Sequence, residues 1–355
     1  TVPQATTVEK LEQKFEIAAK TSFANYSFMF GGANDNLDEI LKVDSKNVAG
    51  LKLFLGSSTG DMLVDDPKVL EKIFKSTDMV ISVHCEDEET IKKNFQEHLD
   101  KFGDDIPIKY HPIIRSEEAC YLSSSKAIEL AKKTGARLHV FHLSTGKETK
   151  LFSNKIPLKD KKITAEVCIH HLWFNDKDYD KKGTHIKWNP AVKTEKDRLQ
   201  LWDALLDDRI DVIATDHAPH TIAEKNNVYT SAPSGGPLVQ HALPAMLEMY
   251  HKGKISIEKI VEKMCHNPAK IFKIENRQVE KRGYIKEGYF ADLVLVDLNN
   301  PWTVNKDNIL YKCGWSPFEG TSFKSRITHT FLNGSLVYNN AKFSDVKAAK
   351  RLTFN

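Results

Sequence analysis

Apolar and polar positions follow two rhythms along this chain. Short runs of strand length, Tyr26-Ser-Phe-Met-Phe30, Gly50-Leu-Lys-Leu-Phe-Leu55, Met79-Val-Ile-Ser-Val-His84, Arg137-Leu-His-Val-Phe-His142, Ile163-Thr-Ala-Glu-Val167 and Ile210 to Asp216, alternate with amphipathic stretches. In one such stretch, Ser125-Lys-Ala-Ile-Glu-Leu-Ala-Lys-Lys133, the apolar residues recur at helical spacing. Strand, helix, strand with short connections predicts an α/β fold with a parallel sheet, which places ligand chemistry at the carboxyl ends of its strands. The runs end there in histidines, an aspartate and a glutamate.

The last run reads Asp211-Val-Ile-Ala-Thr-Asp-His-Ala-Pro-His220. Strand alternation puts Val212, Ala214 and Asp216 on one face. A carboxylate arriving where a buried strand stops is costly unless a cation or a proton relay uses it, or unless it simply caps the next helix. In the second run Leu51, Leu53 and Leu55 share one face, so Lys52 and Phe54 share the other. A strand covered on both sides would strip Lys52 of several kcal/mol of solvation. One escape is loss of the proton and reaction with carbon dioxide, giving a carbamate whose two oxygens can bridge two metal ions; the other is a rim position from which the amine reaches water. His84 and His142 both close strands, where a neutral imidazole offers a nitrogen ligand to zinc. His139 and His142 differ by three positions, so alternation does not let both be assumed to face one site; His139 and His170 are read as supporting or packing groups.

After Asn267-Pro268 the texture changes. The segment Gly283-Tyr-Ile-Lys-Glu-Gly-Tyr-Phe-Ala-Asp-Leu-Val-Leu-Val-Asp297 shows strand alternation broken by glycines, and Thr328-His-Thr-Phe-Leu-Asn-Gly-Ser-Leu-Val-Tyr338 predicts a hairpin turning on Asn333-Gly334. The expected division is a barrel over residues 1–275 and a small β appendage over 276–355, with the basic tail from Lys347 to Arg351 fraying.

Composition narrows the classes. The 355 residues hold 41% hydrophobic positions, enough for a large core, and 51 basic against 48 acidic residues leave a net charge of +3, which argues against a dedicated nucleic-acid partner. The lysines from Lys159 to Lys162 read as solvated turns. Five cysteines at 85, 120, 168, 265 and 313 show no paired spacing, the usage of a reducing compartment, so a cytoplasmic location is expected. No apolar stretch reaches the roughly 18 residues of a membrane span.

Taken together, Lys52, Val83-His-Cys-Glu86, His139-Val-Phe-His142, Glu166-Val-Cys-Ile-His-His171 and Asp216-His-Ala-Pro-His220 resemble the metal-dependent amidohydrolase superfamily and, within it, the type I dihydroorotase group. Further segments agree: His111-Pro-Ile-Ile-Arg115 with Glu117-Glu-Ala119, Trp188-Asn-Pro-Ala191, His266-Asn-Pro268, and Cys313-Gly-Trp-Ser-Pro-Phe-Glu-Gly320. The resemblance runs from Thr1 to about Phe343. It implies a (β/α)8 TIM-type barrel and zinc-dependent, reversible cyclisation of N-carbamoyl-L-aspartate to L-dihydroorotate. Two zinc ions are implied, with Lys52 as their carboxylated bridge, His84 and His142 as ligands of one, and Asp216 as ligand of the other and catalytic acid/base. Glu166 sits where some relatives place an extra metal ligand, and otherwise reads as a strand-end carboxylate paired with a cation. Asn189 and His220 are the implied substrate-binding residues. The partners implied are a small-molecule substrate, carbamoyl aspartate or dihydroorotate, with no nucleic acid and no membrane; a homodimer stays open. Other cyclic amide hydrolases of the hydantoinase, dihydropyrimidinase or allantoinase type, and a non-catalytic assembly partner, are the alternatives.

The chain departs from the family at its front. The family's first strand ends in His-x-His followed by a substrate-gripping arginine, and its second leads to Pro-Asn-Thr. None of the 14 histidines here precedes His84 and none has that spacing, while Thr1-Val-Pro3 is similar to the residues just after the family's asparagine. Six strand-like runs against the eight of such a barrel give the same expectation: the first two βα units lie outside this sequence. The segment Ser231-Ala-Pro-Ser-Gly-Gly-Pro237 departs from the Gly-x-x-Gly-Leu-Glu style of many relatives, and could either bring backbone groups near substrate or form a plain turn.

Overall fold

The computed structural model describes residues 3–56, 62–275 and 280–354. Six strands form one parallel sheet in chain order: β1 (Met29–Gly31), β2 (Gly50–Phe54), β3 (Ile81–His84), β4 (Leu138–Val140), β5 (Ile163–Cys168) and β6 (Val212–Ala214). Each of the six apolar runs supplies one strand. Helices fill most of the connections, among them Pro67–Ser76, Glu88–Phe102, Glu117–Thr134 and Glu195–Leu206. The helix Glu117–Thr134 starts where the Ser116 hydroxyl accepts from the Ala119 N–H and stops at Gly135, whose φ of 76° ends the spiral.

Register explains the sheet's two faces. Leu51 pairs with Ile81, Ile81 with Leu138, and Leu138 with Ile163; Leu53, Val83, Val140 and Ala165 form the next such row. These aliphatic rows join Ile73, Phe74, Ala127 and Ile128 of the covering helices in the main core, each fully buried large side chain contributing about 1.5–3 kcal/mol. The opposite face carries Lys52 beside Ser82, Ser82 beside His139, and His139 beside Thr164. One residue pair nearer the carboxyl edge, Phe54 lies beside His84. A single alternation thus separates core from chemistry. Among the described residues no pairing joins β1 to β6, so the sheet is open at both edges where a complete (β/α)8 barrel would close.

The C-terminal segment forms a separate antiparallel sheet in the order β12-β11-β10-β7, from β7 (Leu293–Asp297), β10 (Arg326–Leu332), β11 (Ser335–Asn339) and β12 (Lys342–Phe343). Strands β8 (Trp302–Thr303) and β9 (Ser322–Phe323) pair with each other. The β10–β11 hairpin turns on Asn333 and Gly334, with φ of 50° and 85°, the left-handed pair such a two-residue turn demands. The expected division at residue 275/276 abuts residues 276–279, and Thr1 and Val2 also lie outside the described residues.

The basic tail differs from expectation. Tyr26 N–H donates to Lys350 O at 3.0 Å, Leu352 N–H donates to Tyr26 O at 2.8 Å, and Arg351 pairs with Glu12 while its guanidinium lies 3.4 Å from the Phe15 ring centroid. The first half of the run before β1 is therefore committed to the tail. A cation stacked on an aromatic ring is held in place, whereas composition alone suggests a solvated end.

Candidate active site at the carboxyl ends of the strands

Two of the polar residues that close strands have backbones that side chains other than glycine seldom adopt. His142 has φ 38° and Asp216 φ 47°. Left-handed conformations of this kind cost roughly 1–2 kcal/mol and recur at functional sites. At His142 the consequence is direct. Phe141 keeps the inward direction set by β4, the reversal then brings the next side chain in as well, and the His142 Nε2 lies 3.1 Å from the Nδ1 of buried His84. His139 faces the same side, its Nδ1 2.8 Å from Thr164 Oγ1 and its Nε2 3.1 Å from Glu166 Oε2. Alternation left open whether both histidines face one site; they share a face because the strand ends before His142.

Lys52 interacts electrostatically with the histidines and with two carboxylates. Its Nζ lies 4.6 Å from the Phe54 ring centroid and 4.1 Å from that of Phe141, an aromatic slot in which no carboxylate among the described residues is hydrogen-bonded to it. Burial pulls its ammonium down to about 8, opposed by the negative charges of Asp216 and Glu166. Lys52 in turn disfavours protonation of His84 and His142, both already held low chiefly by burial. Asp216 is pushed up to about 6 by burial, with Lys52 pulling it down and Glu166 pushing it further up. So His84 and His142 form a converging donor pair, and Lys52 interacts electrostatically with it and with Asp216 and Glu166.

The donor chemistry suits divalent cations. Two imidazole nitrogens converge, the buried His142 Nδ1 has no hydrogen-bond partner among the described residues, and a lysine amine is biased towards the neutral form that carbamate formation needs. Among the described residues no three His, Cys, Asp or Glu side chains gather closely enough to hold an ion by themselves, which leaves Lys52 as the group that would complete a set.

The remaining sequence candidates take distinct places. Glu166 is tied to His139, while His170 is fully buried, stacked on Trp188 at 4.3 Å between centroids, and has no partner among the described residues for either ring nitrogen. Asn189 accepts from the Ser234 hydroxyl at 2.9 Å. The glycine-rich segment then runs against the Asp216 loop: a side chain at Gly235 would meet Ala218 O at 2.5 Å, one at Gly236 would meet Trp188 at 2.7 Å, and Ala218 N–H donates to Gly236 O. Two buried lysines hold this segment by its carbonyls, Lys187 through Ala232 and Lys225 through Pro233 and Gly235. His220 is half-buried, its backbone carbonyl accepting from the Trp315 indole at 2.8 Å.

Sequence reasoning did not single out Phe141, Ser234 or the Glu86–Arg115 pair as parts of the site. For Glu86 the signal was present, since it lies two residues beyond His84 in strand phase. Phe141 likewise follows His139 in strand phase, whereas the contact of Ser234 depends on loop geometry that no spacing encodes.

With this geometry in view, a sequence model of the Amidohydrolase family matches residues 65–337. The chain belongs to the amidohydrolase family. It is 33% identical over 324 residues to a dihydroorotase of Halobacterium salinarum, covering 90% of this chain and 72% of that protein. It is 34% identical over 286 residues to a dihydroorotase of Pyrococcus furiosus, covering 81% and 60% respectively. The chain thus spans between 60% and 72% of the length of these two curated relatives. Among solved structures, L-hydantoinase (dihydropyrimidinase) from Arthrobacter aurescens superposes with a TM-score of 0.90 at 26% identity, over 99% of this amidohydrolase and 78% of that chain. No helix among the described residues is long and apolar enough to cross a membrane.

Proposed function

We propose that this chain carries the greater part of a dihydroorotase site, and that the protein containing it interconverts N-carbamoyl-L-aspartate and L-dihydroorotate by closing and opening a cyclic amide. The observation that carries the reading is Lys52 at the carboxyl end of the sheet, feeling the charges of Asp216 and Glu166 and acting on the converging His84 and His142, with its ammonium lowered to about 8. The dihydroorotases to which the chain is similar support the choice of ring.

In this reading Lys52, as its carbamate, would hold two zinc ions, with His84 and His142 completing one set and Asp216 joining the other. Bound divalent cations supply Lewis-acid polarisation of a carbonyl and acidify water. The chain's own residues do the rest. Asp216, held near neutrality by burial, accepts a proton as the ring opens and returns it to the leaving ring nitrogen. Asn189, steadied by Ser234, and His220, steadied through its backbone by Trp315, orient the substrate. Phe54 and Phe141 flank the Lys52 amine.

The test is turnover by the full-length protein on dihydroorotate, dihydrouracil and allantoin, with zinc content measured alongside. Dihydroorotate should be the preferred ring by at least tenfold. Preference for dihydrouracil would instead favour a hydantoinase-type reading, for which the fold agreement with L-hydantoinase speaks. Lys52→Ala should lose zinc and turnover, and short carboxylic acids should restore part of both by filling the vacated space. Full zinc content in Lys52→Ala without such rescue would show that the lysine is no bridge.

A further inference from the structure

Glu86 lies outside the donor sets described so far, yet it is fully buried and touches one of their members. Its Oε2 is 2.9 Å from His84 Nε2 and also accepts a hydrogen bond from the Arg115 guanidinium. Arg115 is brought there by the turn between the short helix His111–Ile114 and the helix Glu117–Thr134. The backbone of Glu86 is fixed as well: a side chain on Gly56 would lie 1.8 Å from the Glu86 carbonyl oxygen, so the chain leaving β2 passes as close as a glycine permits.

We infer that Glu86, braced by Arg115, is a positioning residue that holds the proton of His84 on Nε2, so that Nδ1 presents its lone pair towards His142 and a bound cation. This rests on the reading above that His84 is a metal ligand. The chemistry comes from what each group can offer. A carboxylate has acceptors only, so the short contact requires His84 Nε2 to donate. The same Oε2 faces the Arg115 guanidinium, which can only donate, so this oxygen accepts from both neighbours. An imidazole whose single proton is on Nε2 has a free lone pair on Nδ1. That atom is the one 3.1 Å from His142 Nε2. Carboxylate partners of this kind fix the orientation of metal-binding imidazoles, and losing one typically costs 10–100-fold in metal affinity.

A structural ion pair between Glu86 and Arg115 would give the same contacts, so the test must separate the two. In the double variant Glu86→Leu with Arg115→Met both buried charges go together, and apolar replacements of similar volume leave stability near the wild-type value. Glu86→Gln is the second variant: its amide can accept from or donate to His84. Nitrogen NMR of the metal-free proteins reads the His84 tautomer, and chelator competition reads zinc affinity. The wild type should show the proton on Nε2, Glu86→Gln a mixture, and the double variant no preference for Nε2. Zinc affinity should fall by about 10–100-fold in the double variant and by less in Glu86→Gln. Wild-type zinc affinity in a stable double variant, or an unchanged tautomer in both variants, would overturn the proposal. A wild-type protein that binds no zinc would defeat the metal reading itself, while the tautomer comparison would still decide what Glu86 does to the ring.

Discussion

Asp211 and Asp216 flank β6, one before its first residue and one just past its last, and they live in opposite circumstances. Asp211 is buried and satisfied: Lys161 Nζ lies 2.7 Å from its Oδ1, the Ala165 N–H donates to its Oδ2, and Asn267 donates to its backbone carbonyl. Asp216 is set in a left-handed backbone, and among the described residues no group hydrogen-bonds to its carboxylate. Burial raises both carboxyls, but Lys161 answers it directly at Asp211, whereas Lys52 answers it at Asp216 only through space. The same strand thus carries a carboxylate that the fold has neutralised and one that it has left available. The amino end of the sheet is built for stability, and the carboxyl end keeps unmet demands that a ligand can meet.

The largest effect should come from removing the satisfied partner. Asp211→Asn leaves the Lys161 ammonium, itself only 5% exposed, without its counter-charge, and should lower folding stability by about 3–5 kcal/mol while turnover per folded molecule stays near normal. Denaturant midpoints and active-site titration together read this. A variant as stable as the wild type would mean that the pair contributes little.

Asp216→Asn should do the reverse. If Asp216 is the proton acceptor proposed above, turnover should fall on the order of a hundredfold or more, while the fold and metal content persist. The metal-free variant should also be more stable at neutral pH, by on the order of 1–2 kcal/mol, since a partly buried charge without a hydrogen-bond partner among the described residues has been removed. The pH dependence comes from the same shift. The folded carboxyl sits at about 6 against an ordinary 3.8, so between those values the folded state keeps a proton that the unfolded chain has released. Stability of the metal-free protein should therefore decline as pH rises from about 4 to about 6 and level off above. In Asp216→Asn that decline should disappear, as urea titrations across the range would show; an equal decline in both proteins would place the titration elsewhere.

The contrast between the two ends also decides what the sequence made legible. Strands covered on both sides read as nearly unbroken apolar runs, so the polar residues that interrupt or close them, Lys52, His84, Glu166 and Asp216, stand out by the cost of putting them there. Order, parallelism and the inward direction of Lys52 come from the same alternation. What resists reading is whatever happens once a strand stops. The reversal at His142 turns two consecutive side chains inward, which a period of two cannot express. The docking of Arg351 on Phe15 depends on two segments far apart in the chain meeting in space, and composition carries no trace of it.

The smallest effect should come from a contact of that long-range kind, the indole of Trp315 donating to the His220 carbonyl at 2.8 Å. Trp315 is almost fully buried and its ring also lies against His185, at 5.2 Å between centroids, so Trp315→Phe preserves much of the packing and removes one neutral hydrogen bond, worth about 1 kcal/mol. The loop from Asp216 to His220 is held at its other end by the Gly235-Gly236 backbone, which leaves Asp216 in place. If His220 orients substrate and Asp216 moves the proton, the substitution should raise KM a few-fold with kcat nearly unchanged. Lower kcat at constant KM would mean that the segment around Trp315 acts on Asp216 instead, and that the satisfied and available parts of this loop are not separable.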